Sequence, residues 1–457
     1  MTLKKRLIAV LAAGVLTASA LPALALENEF HGMFKAFGYY TNTYNGYTVK
    51  GLLSNNATAS NYFEQRARIL YMAKASDDLK LVTQFELDTR FGGINTTTNP
   101  YKGTASGNDS GQLDADSITF ETKWVYLDFN EPWAKTNFKV GMQGWKDAYQ
   151  SLFLLADMTG LTVTKKFGDF TASIAGFRYY ELGSSTMRAG HNSNSLLAFD
   201  GKYAFSKDAT LGLSYYYTNN NNGNTTAPAA NSMQMPGISA SFKFDGSVIE
   251  PFFAYQFGNY NQSRNTEVSA YLAGVVAKAK LPSGAFNFNL IYLSGEDQTP
   301  ATMSNGDVKA FQTLGNNYTY FNAANMWLLI RNKDAVNSST SIFGNDMTVG
   351  GRGQLGIYAG YEGAVDKFFY AANVGYAQTA AQRTNSGAKE NSSLGTEVNA
   401  TIGYKLYDSL SVSLSGAYCF LGEGLKNTTA AGGISGFTGG GGADDPFMGN
   451  IQVSYAF

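Results

Sequence analysis

The sequence predicts an all-β chain whose antiparallel strands close into one barrel that crosses a membrane. Three observations carry this prediction. Glycine, tyrosine and phenylalanine are abundant, at 50, 29 and 31 of 457 residues, while proline is scarce at 9. Charged residues make up 15%, against about 25% in typical soluble domains, yet the mean hydropathy is slightly polar at −0.19. Short runs that alternate apolar and polar residues recur along the chain, and such runs cancel in a window average.

The first 25 residues have the parts of a secretory signal peptide. Residues 4–6 are Lys-Lys-Arg, residues 7–16 are apolar, and residues 23–25 form a small-x-small cleavage motif. The apolar run is too short for a transmembrane helix, which needs about 20 apolar residues. We therefore expect cleavage near Ala25 and a single barrel domain over residues 26–457. Without the signal the chain has 31 basic and 35 acidic residues, a weak charge that argues against nucleic-acid binding.

The third predicted strand, Leu79–Arg90, shows the alternation most clearly. Its charged residues fall on one face, and its leucines and Phe85 fall on the other. The same pattern predicts about eighteen strands, an even number, as single-chain bacterial barrels require. The predicted strands are Phe30–Tyr40, Tyr62–Ala73, Leu79–Arg90, Ile118–Phe129, Asn137–Trp145, Leu161–Lys166, Phe170–Glu181, Leu196–Phe205, Thr210–Thr218, Ile238–Phe244, Val248–Phe257, Val268–Lys280, Ala285–Leu293, Gln354–Tyr361, Lys367–Gln378, Gly395–Leu406, Leu410–Leu421 and Phe447–Phe457.

Short turns and long loops alternate between these strands. Turns such as 206–208 and 245–247 hold Ser, Asp, Gly and Lys, whereas loops such as 219–236 and 295–353 are long and rich in Asn, Gly, Thr and Ala. This asymmetry is typical of a barrel with short periplasmic turns and long extracellular loops. The weakest assignment lies in 295–353, where Asn325–Arg331 could form a strand or a short loop helix. Sixteen or twenty strands therefore stay open.

The polar face of the strands predicts a water-filled interior. Only helices and closed barrels satisfy every backbone group in hydrocarbon, and the sequence has no apolar run that would make a spanning helix. At about 16–18 strands a barrel is too wide for its side chains to fill. Lys80, Glu86, Asp88 and Arg90 on one strand would not suit a protein core but would suit a lumen. We therefore expect a channel for passive diffusion of small hydrophilic solutes and ions.

The last strand resembles the closing strand of Gram-negative outer-membrane barrels. Phe447–Phe457 has an apolar face that includes Tyr455 and ends the chain on an aromatic residue. With the signal peptide, the strand rhythm and the Val-Gly-Met-Gln stretch at residues 140–143, the chain resembles the general porins over nearly its whole mature length. The resemblance implies an outer-membrane location, contact with lipid and lipopolysaccharide, and a homotrimer. It also implies that Tyr455 and Phe457 form the signal read by the barrel-assembly machinery.

The resemblance further implies a pore-constricting loop. In that family the third outer loop folds into the barrel and often carries acidic residues opposite a basic cluster on the wall. Here that loop is residues 146–158, and its apolar residues independently favour inward folding. Asp147 and Asp157 match the acidic type. The candidate wall partners are three arginines: Arg66, Arg68 and Arg90. Such fixed charges would tune ion selectivity, although ordinary lumen polarity and solvated loop charges are the simpler alternatives.

The chain offers little for catalysis, a metal or a cofactor. Cys419 is the only cysteine, so there is no disulfide or c-type haem motif. His31 and His191 are too few for an ordinary zinc or haem site, and there is no G-x-S-x-G nucleophile elbow. We therefore expect no enzyme, no metal and no cofactor. Two alternatives to the general porin stay open: a barrel sheath or partner for an outer-membrane cytochrome electron conduit, and a substrate-selective channel.

Overall fold

A computed structural model describes most of the chain. The described residues are 26–43, 58–92, 120–181, 193–220, 232–261, 266–298, 306–315, 318–336, 341–343, 346–427, 431–435 and 442–457. The predicted signal peptide at residues 1–25 and His191 lie outside these ranges. No helix within the described ranges is long and apolar enough to cross a membrane.

The chain forms a closed antiparallel barrel of eighteen strands, which confirms the predicted fold class. The barrel strands are β1 Glu27–Thr41, β2 Ser60–Ser76, β3 Leu79–Arg90, β4 Phe120–Glu131, β5 Thr136–Lys146, β6 Leu155–Phe167, β7 Phe170–Glu181, β8 Ser193–Ala204, β9 Ala209–Asn220, β10 Ser232–Phe244, β11 Ser247–Asn261, β12 Thr266–Leu281, β13 Gly284–Leu293, β15 Gln354–Val365, β16 Phe368–Thr379, β19 Ser393–Tyr407, β20 Leu410–Leu421 and β21 Phe447–Ala456. Short elements in the loops are β14 Gly306–Val308, the 3₁₀ turn Asn322–Ala324, β17 Thr384–Asn385, β18 Ala388–Lys389 and the one-turn helix Glu423–Lys426.

The last strand closes the ring by pairing with both β20 and β1. The backbone amide of Gly32 donates to the carbonyl oxygen of Phe457 at 2.8 Å, and the amide of Phe457 donates back to Gly32 at 3.1 Å. Each barrel strand therefore has a partner on both sides, so the sheet has no free edge.

The strands present an apolar face outward and a polar face inward, as their period of two requires. Leu81, Leu127 and Leu414 are among the exposed outward residues. Trp133 lies in the short turn after β4 with 90% of its surface exposed, where an aromatic girdle residue is expected.

The buried hydrophobic residues lie mainly inside the barrel, because two loops fold into it. We call residues 147–154 loop 3 and residues 294–353 loop 7, after their order among the connections at the long-loop end of the barrel. Both loops contain large apolar residues with almost no exposed surface, namely Tyr149, Leu152, Phe153, Phe311, Phe321, Leu328, Leu329 and Phe343. Asn325–Arg331 forms neither of the elements that its sequence allows, but an irregular buried segment of loop 7.

Candidate pore constriction

Loop 7 leaves β13 and first runs along the wall towards β11. The side chain of Gln256 on β11 donates to the backbone carbonyl of Gln312 at 2.8 Å, and it accepts from the amide of Gln312 at 2.7 Å. One wall side chain thus satisfies both backbone groups of a loop residue. Such pairing matters because buried backbone groups need partners wherever secondary structure does not supply them.

The middle of loop 7 is held by one carboxylate on the barrel wall. Glu397 on β19 is fully buried and accepts hydrogen bonds from the backbone amides of Trp327, Leu328 and Leu329 at 2.7, 3.0 and 2.8 Å. Asn399, two residues along the same strand, donates to the carbonyl of Asn325 at 3.0 Å. A buried charge is expensive unless it is hydrogen-bonded. These contacts therefore fix the loop backbone and satisfy the carboxylate together.

The tip of loop 7 reaches β1 and β2, which are separated from β13 by β15, β16, β19, β20 and β21. Lys35 on β1 pairs with Asp334 at 2.5 Å. Arg66 on β2 and Arg331 in the loop both donate to the carbonyl of Val336, at 2.7 and 2.8 Å. Burial lowers the pKa of Arg331, and the positive charge of Arg66 adds to this effect. The loop therefore crosses the lumen, and its tip contacts the charged side chains of β1 and β2.

Loop 3 is organised by its own first residue. Both oxygens of Asp147 accept backbone amides of the loop, from Tyr149, Ser151, Phe153 and Leu154 at 2.6, 3.0, 2.7 and 2.6 Å. Burial raises the pKa of Asp147 to about 6, although the four amides act in the opposite direction. The carboxylate is therefore used by its own loop and does not face the predicted basic cluster.

An inward-facing glycine makes room for loop 3 against the wall. The hydroxyl of Tyr149 hydrogen-bonds to Ser214 on β9 and lies where a Cβ at Gly237 on β10 would be. The amide of Ala148 donates to the hydroxyl of Tyr216 at 2.9 Å, and Tyr216 donates to Asp200 at 2.8 Å. A larger residue at Gly237 would displace Tyr149, so loop 3 needs a glycine at this position of the wall.

The two inserted loops contact each other through backbone hydrogen bonds. The amide of Tyr320 donates to the carbonyl of Ser151 at 2.9 Å, and the amide of Leu155, the first residue of β6, donates to the carbonyl of Tyr318 at 2.8 Å. Loop 3 and loop 7 therefore lie in contact inside the barrel, from β9 to β2, and we call the two loops together the inserted body.

The three predicted arginines come together on β2 and β3. The register places Glu64 opposite Arg90, Arg66 opposite Asp88, and Arg68 opposite Glu86. All six side chains have the same strand parity, and each arginine binds the acid across from it. The distances are 2.7 Å for Arg90–Glu64 and 2.6 Å for Arg66 Nε–Asp88, with Arg68 also hydrogen-bonded to Glu86. We call these six residues the charge ladder.

Asp157 lies outside this ladder. It sits on β6, accepts from the indole of Trp124 at 2.7 Å and pairs with Lys123 at 2.9 Å. Lys123 is in turn 3.8 Å from Glu86, so it links Asp157 to the ladder. No motif in the sequence marks Glu397, Gln256 or Asn399 as residues that hold a loop. The only signal was the apolar run at 325–331 within an otherwise polar loop.

Two cavities with mixed polar and apolar linings lie against the inserted body. One, of about 610 Å³, is lined by Asn325 and by residues of β16, β19, β20 and β21. The other, of about 590 Å³, is lined by Asn322, by loop 3 and by residues of β8 to β11. The 3₁₀ turn Asn322–Ala324 thus has one cavity at each end. Among the described residues no cluster of histidine, cysteine and acidic side chains is arranged to hold a metal ion.

Comparison with known proteins places the fold. No protein-family model and no curated protein matches the chain. Several solved structures are similar along nearly the whole chain. OccAB4 of Acinetobacter baumannii is 12% identical, covers 95% of this chain and 100% of its own, and has a TM-score of 0.53. The corresponding values are 10%, 94%, 98% and 0.53 for the outer membrane protein OpdK of Pseudomonas aeruginosa, and 12%, 94%, 99% and 0.54 for OpdL of the same organism. This likeness shows the closed-barrel fold of Gram-negative outer-membrane porins.

Proposed function

We propose that the chain is an outer-membrane channel for passive diffusion of small hydrophilic solutes and ions. The observation that carries the proposal is a closed, polar-lined barrel in which two cavities of about 610 and 590 Å³ lie beside the inserted loops. A barrel of this strand number is too wide to be filled by its wall side chains alone. Loop 7, together with loop 3, would then set the narrowest section.

We propose that Arg66, Arg68 and Arg90 of the charge ladder tune the ion selectivity of the channel. Arg66 and Arg90 are nearly covered, whereas the side chain of Arg68 is 32% exposed. All three arginines are paired with an acid, so they differ in exposure, and a charge in contact with water acts more strongly on a passing ion than a covered one. We therefore expect Arg68 to contribute most, Arg66 and Arg90 less, and Asp147 least. Asp157 would act through Lys123.

Reversal potentials across a planar bilayer test both statements. The purified protein should conduct in a potassium chloride gradient, and Arg68→Gln should shift its selectivity toward cations. Asp157→Asn should shift it toward anions, and Asp147→Asn should change it little. Absence of conductance in the native protein would overturn the channel proposal. Unchanged selectivity in Arg66→Gln, Arg68→Gln and Arg90→Gln together would remove the arginines from the ion path.

A substrate-selective channel is the second candidate. Loop 7 places buried side chains inside the barrel, and one of the similar solved structures is OpdK with vanillate, at 11% identity and a TM-score of 0.53. Saturable uptake of one solute class into proteoliposomes would favour selectivity, whereas uptake that depends on solute size alone would favour the general pore. A cytochrome sheath is less favoured because loop 7 occupies the lumen that a partner would enter; stoichiometric co-purification of a haem protein would reverse this judgement.

We further propose that the outer face contacts lipid and lipopolysaccharide and that the chain assembles as a homotrimer. Tyr455 and Phe457 would be read by the barrel-assembly machinery, since both are exposed on the last strand and their rings stack at 5.4 Å. Native mass spectrometry of detergent-extracted protein tests the trimer. Phe457→Ser should slow assembly without changing the folded barrel, which heat-modifiable migration in gels would report.

A further inference from the structure

Three outer segments cover one side of the barrel mouth. They are residues 346–353 of loop 7, residues 380–392 between β16 and β19, and residues 422–427 with 431–435 after β20. The outer ends of β15, β16, β19 and β20 hold residues with at most 5% of their surface exposed, namely Gln354, Thr379, Leu394, Cys419 and Leu421. The three segments therefore close off this part of the lumen, and we call them the lid.

The lid segments are joined at one buried ion pair. Arg352 donates to Glu390 through two nitrogens, at 2.6 Å each, and to the carbonyl and the hydroxyl of Ser435 at 3.0 Å each. Glu390 in turn accepts the backbone amide of Ser435 at 3.1 Å. The side chains of Arg352 and Glu390 are only 3% and 0% exposed. One carboxylate therefore connects all three segments of the lid.

A second buried arginine lies beside this pair. Arg383 donates through Nε to the backbone carbonyl of Glu296 at 3.1 Å, and its own amide donates to Glu390 at 3.2 Å. Burial lowers the pKa of Arg383, and the positive charge of Arg352 adds to this effect. The carboxylate of Glu296 accepts two backbone amides at 3.2 and 2.9 Å. Glu390 is therefore the carboxylate that bonds directly to Arg352 and keeps the two guanidinium groups together.

The titratable groups that act on this cluster are Glu390, Arg352, Arg383, Glu296 and Tyr260 of β11. Among them, Glu390 and Glu296 are the groups that gain a proton in mild acid. A proton on Glu390 removes the negative charge at the meeting point of the lid, whereas a proton on Glu296 changes contacts within its own loop.

We propose that acid releases the lid and that protonation of Glu390 is the releasing step. A proton from solvent neutralises the carboxylate, so its charge-assisted hydrogen bonds to Arg352 weaken. Arg352 and Arg383 then repel each other without a shared counter-charge. The three segments separate, and the outer end of the lumen along β15 to β20 becomes accessible.

The direction of the pH dependence follows from the contacts of Glu390. Burial acts to raise the pKa of Glu390, but Arg352 and two backbone amides outweigh burial and lower that pKa. The lid is therefore closed above the ordinary glutamate pKa of about 4.3, and it opens as pH falls through the lowered value.

The native cysteine reports the opening. Cys419 is the only cysteine of the chain and is fully buried, and its amide donates to the carbonyl of Pro446 in the loop after β20 at 2.9 Å. The thiol reagent 4,4′-dithiodipyridine, which reacts in acid and at neutral pH, is added to the purified protein. Its labelling rate is divided by that of free glutathione at the same pH. We expect this relative rate to rise about tenfold or more between pH 7 and pH 3, because hydrogen bonds to charged groups are the stronger ones.

Glu390→Gln imitates the protonated carboxyl at every pH. In this variant the relative labelling rate at pH 7 should already be about tenfold above that of the native protein, for the same reason, and should change little towards pH 3. The matched control is Glu362→Gln, which removes the acid of an exposed ion pair with Lys278 near the other end of β15. It should keep the native rate and the native pH response.

Three results would overturn the inference. They are a native labelling rate that stays constant between pH 7 and pH 3, native-like slow labelling of Glu390→Gln at pH 7, and a pH response of equal size in both proteins. The last would place the acid-sensing group elsewhere, for example at Glu397, which lies opposite Cys419 in the register. Heat-modifiable migration confirms a folded barrel in each sample. No current is measured, so failure of this inference leaves the channel proposal standing, and a protein that does not conduct leaves this inference standing.

Discussion

Loop 3 and loop 7 solve the same physical problem in different ways. Each places backbone amides inside the barrel away from regular structure, and each satisfies them with one buried carboxylate. In loop 3 the carboxylate of Asp147 binds amides two to seven residues further along the chain. In loop 7 the carboxylate of Glu397 lies on the wall, 68 to 70 residues beyond the amides that it binds.

Because of this difference, loop 3 can form from local contacts, whereas loop 7 can form only when the barrel strands are in place. The contacts of loop 3 close a short segment, so their entropic cost is small. The contacts of loop 7 require β19 to be in place, and they extend to β1 and β2 through Lys35 and Arg66. We therefore expect loop 3 to be ordered whenever its strands are, and loop 7 to be ordered only in the closed barrel.

Replacement of Glu397 by leucine should give the largest effect. It would leave three buried amides without an acceptor, and each such group costs about 1–3 kcal/mol. We expect loop 7 to leave the lumen and the single-channel conductance to rise roughly twofold or more, because the inserted body no longer narrows the pore. Glu397→Gln keeps one acceptor oxygen and should give an intermediate conductance.

The matched control is another carboxylate that binds backbone amides. Glu131 accepts from the amides of Trp133 and Ala134 in the exposed turn after β4. This turn precedes β5 and loop 3 follows it, so the two lie at opposite ends of that strand. Glu131→Leu should leave the conductance unchanged. If Glu397→Leu folds to a heat-modifiable barrel with native conductance, then Glu397 does not hold loop 7 in the pore.

Replacement of Asp147 by alanine should give a smaller and more local effect. Four amides lose their acceptor, so hydrogen exchange within residues 149–154 should accelerate by about 100-fold or more, on the same cost per amide. Loop 7 keeps its contacts to Glu397 and Gln256, so exchange at 326–330 should change little. Equal acceleration in both segments would show that the two loops open as one unit, and loop 3 would then not be a locally stabilised loop.

The strands and loop 3 are accessible to sequence reasoning because their determinants are local. Alternation in Leu79–Arg90 marks the wall, and Asp147 stands beside the apolar residues that it organises. Loop 7 is not accessible in this way, since Glu397 has the same strand parity and residue type as any lumen acid. Its role depends on which loop residues reach it.

Arg66, Arg68 and Arg90 can be predicted from the sequence only in part. Their residue type and inward parity are visible in the sequence, but their pairing with Glu64, Glu86 and Asp88 follows from the register of β2 against β3. That register is set by the two-residue turn at 77–78 together with a one-residue bulge between Lys74 and Ser76. A prediction made from residue types alone places Asp147 opposite Arg66, whereas the register supplies an acid on the neighbouring strand.

A change of pH should have a smaller effect than the substitutions of Glu397 and Asp147. It should stabilise one loop contact and destabilise another. Glu390, between β18 and β19, binds Arg352 of loop 7 at 2.6 Å through each oxygen and accepts the amide of Ser435 at 3.1 Å. Burial raises the pKa of Glu390, but Arg352 and the backbone amides outweigh it, so the pKa lies below its usual value. This contact therefore stabilises the folded loops above the ordinary glutamate pKa and is lost as pH falls through the lowered value.

Asp147 titrates in the opposite sense. Its pKa in the folded protein is about 6, above the ordinary value, so its contribution is fully present below about pH 3.9 and is lost as pH rises through 6. Exchange rates corrected for the intrinsic pH dependence should show residues 149–154 better protected at pH 4 than at pH 7. Residues 383–392 should become less protected only below about pH 4.5. Asp147→Asn should abolish the first dependence and Glu390→Gln the second. A common pH profile for both segments in the native protein would mean that loop 3 and residues 383–392 do not respond independently to pH.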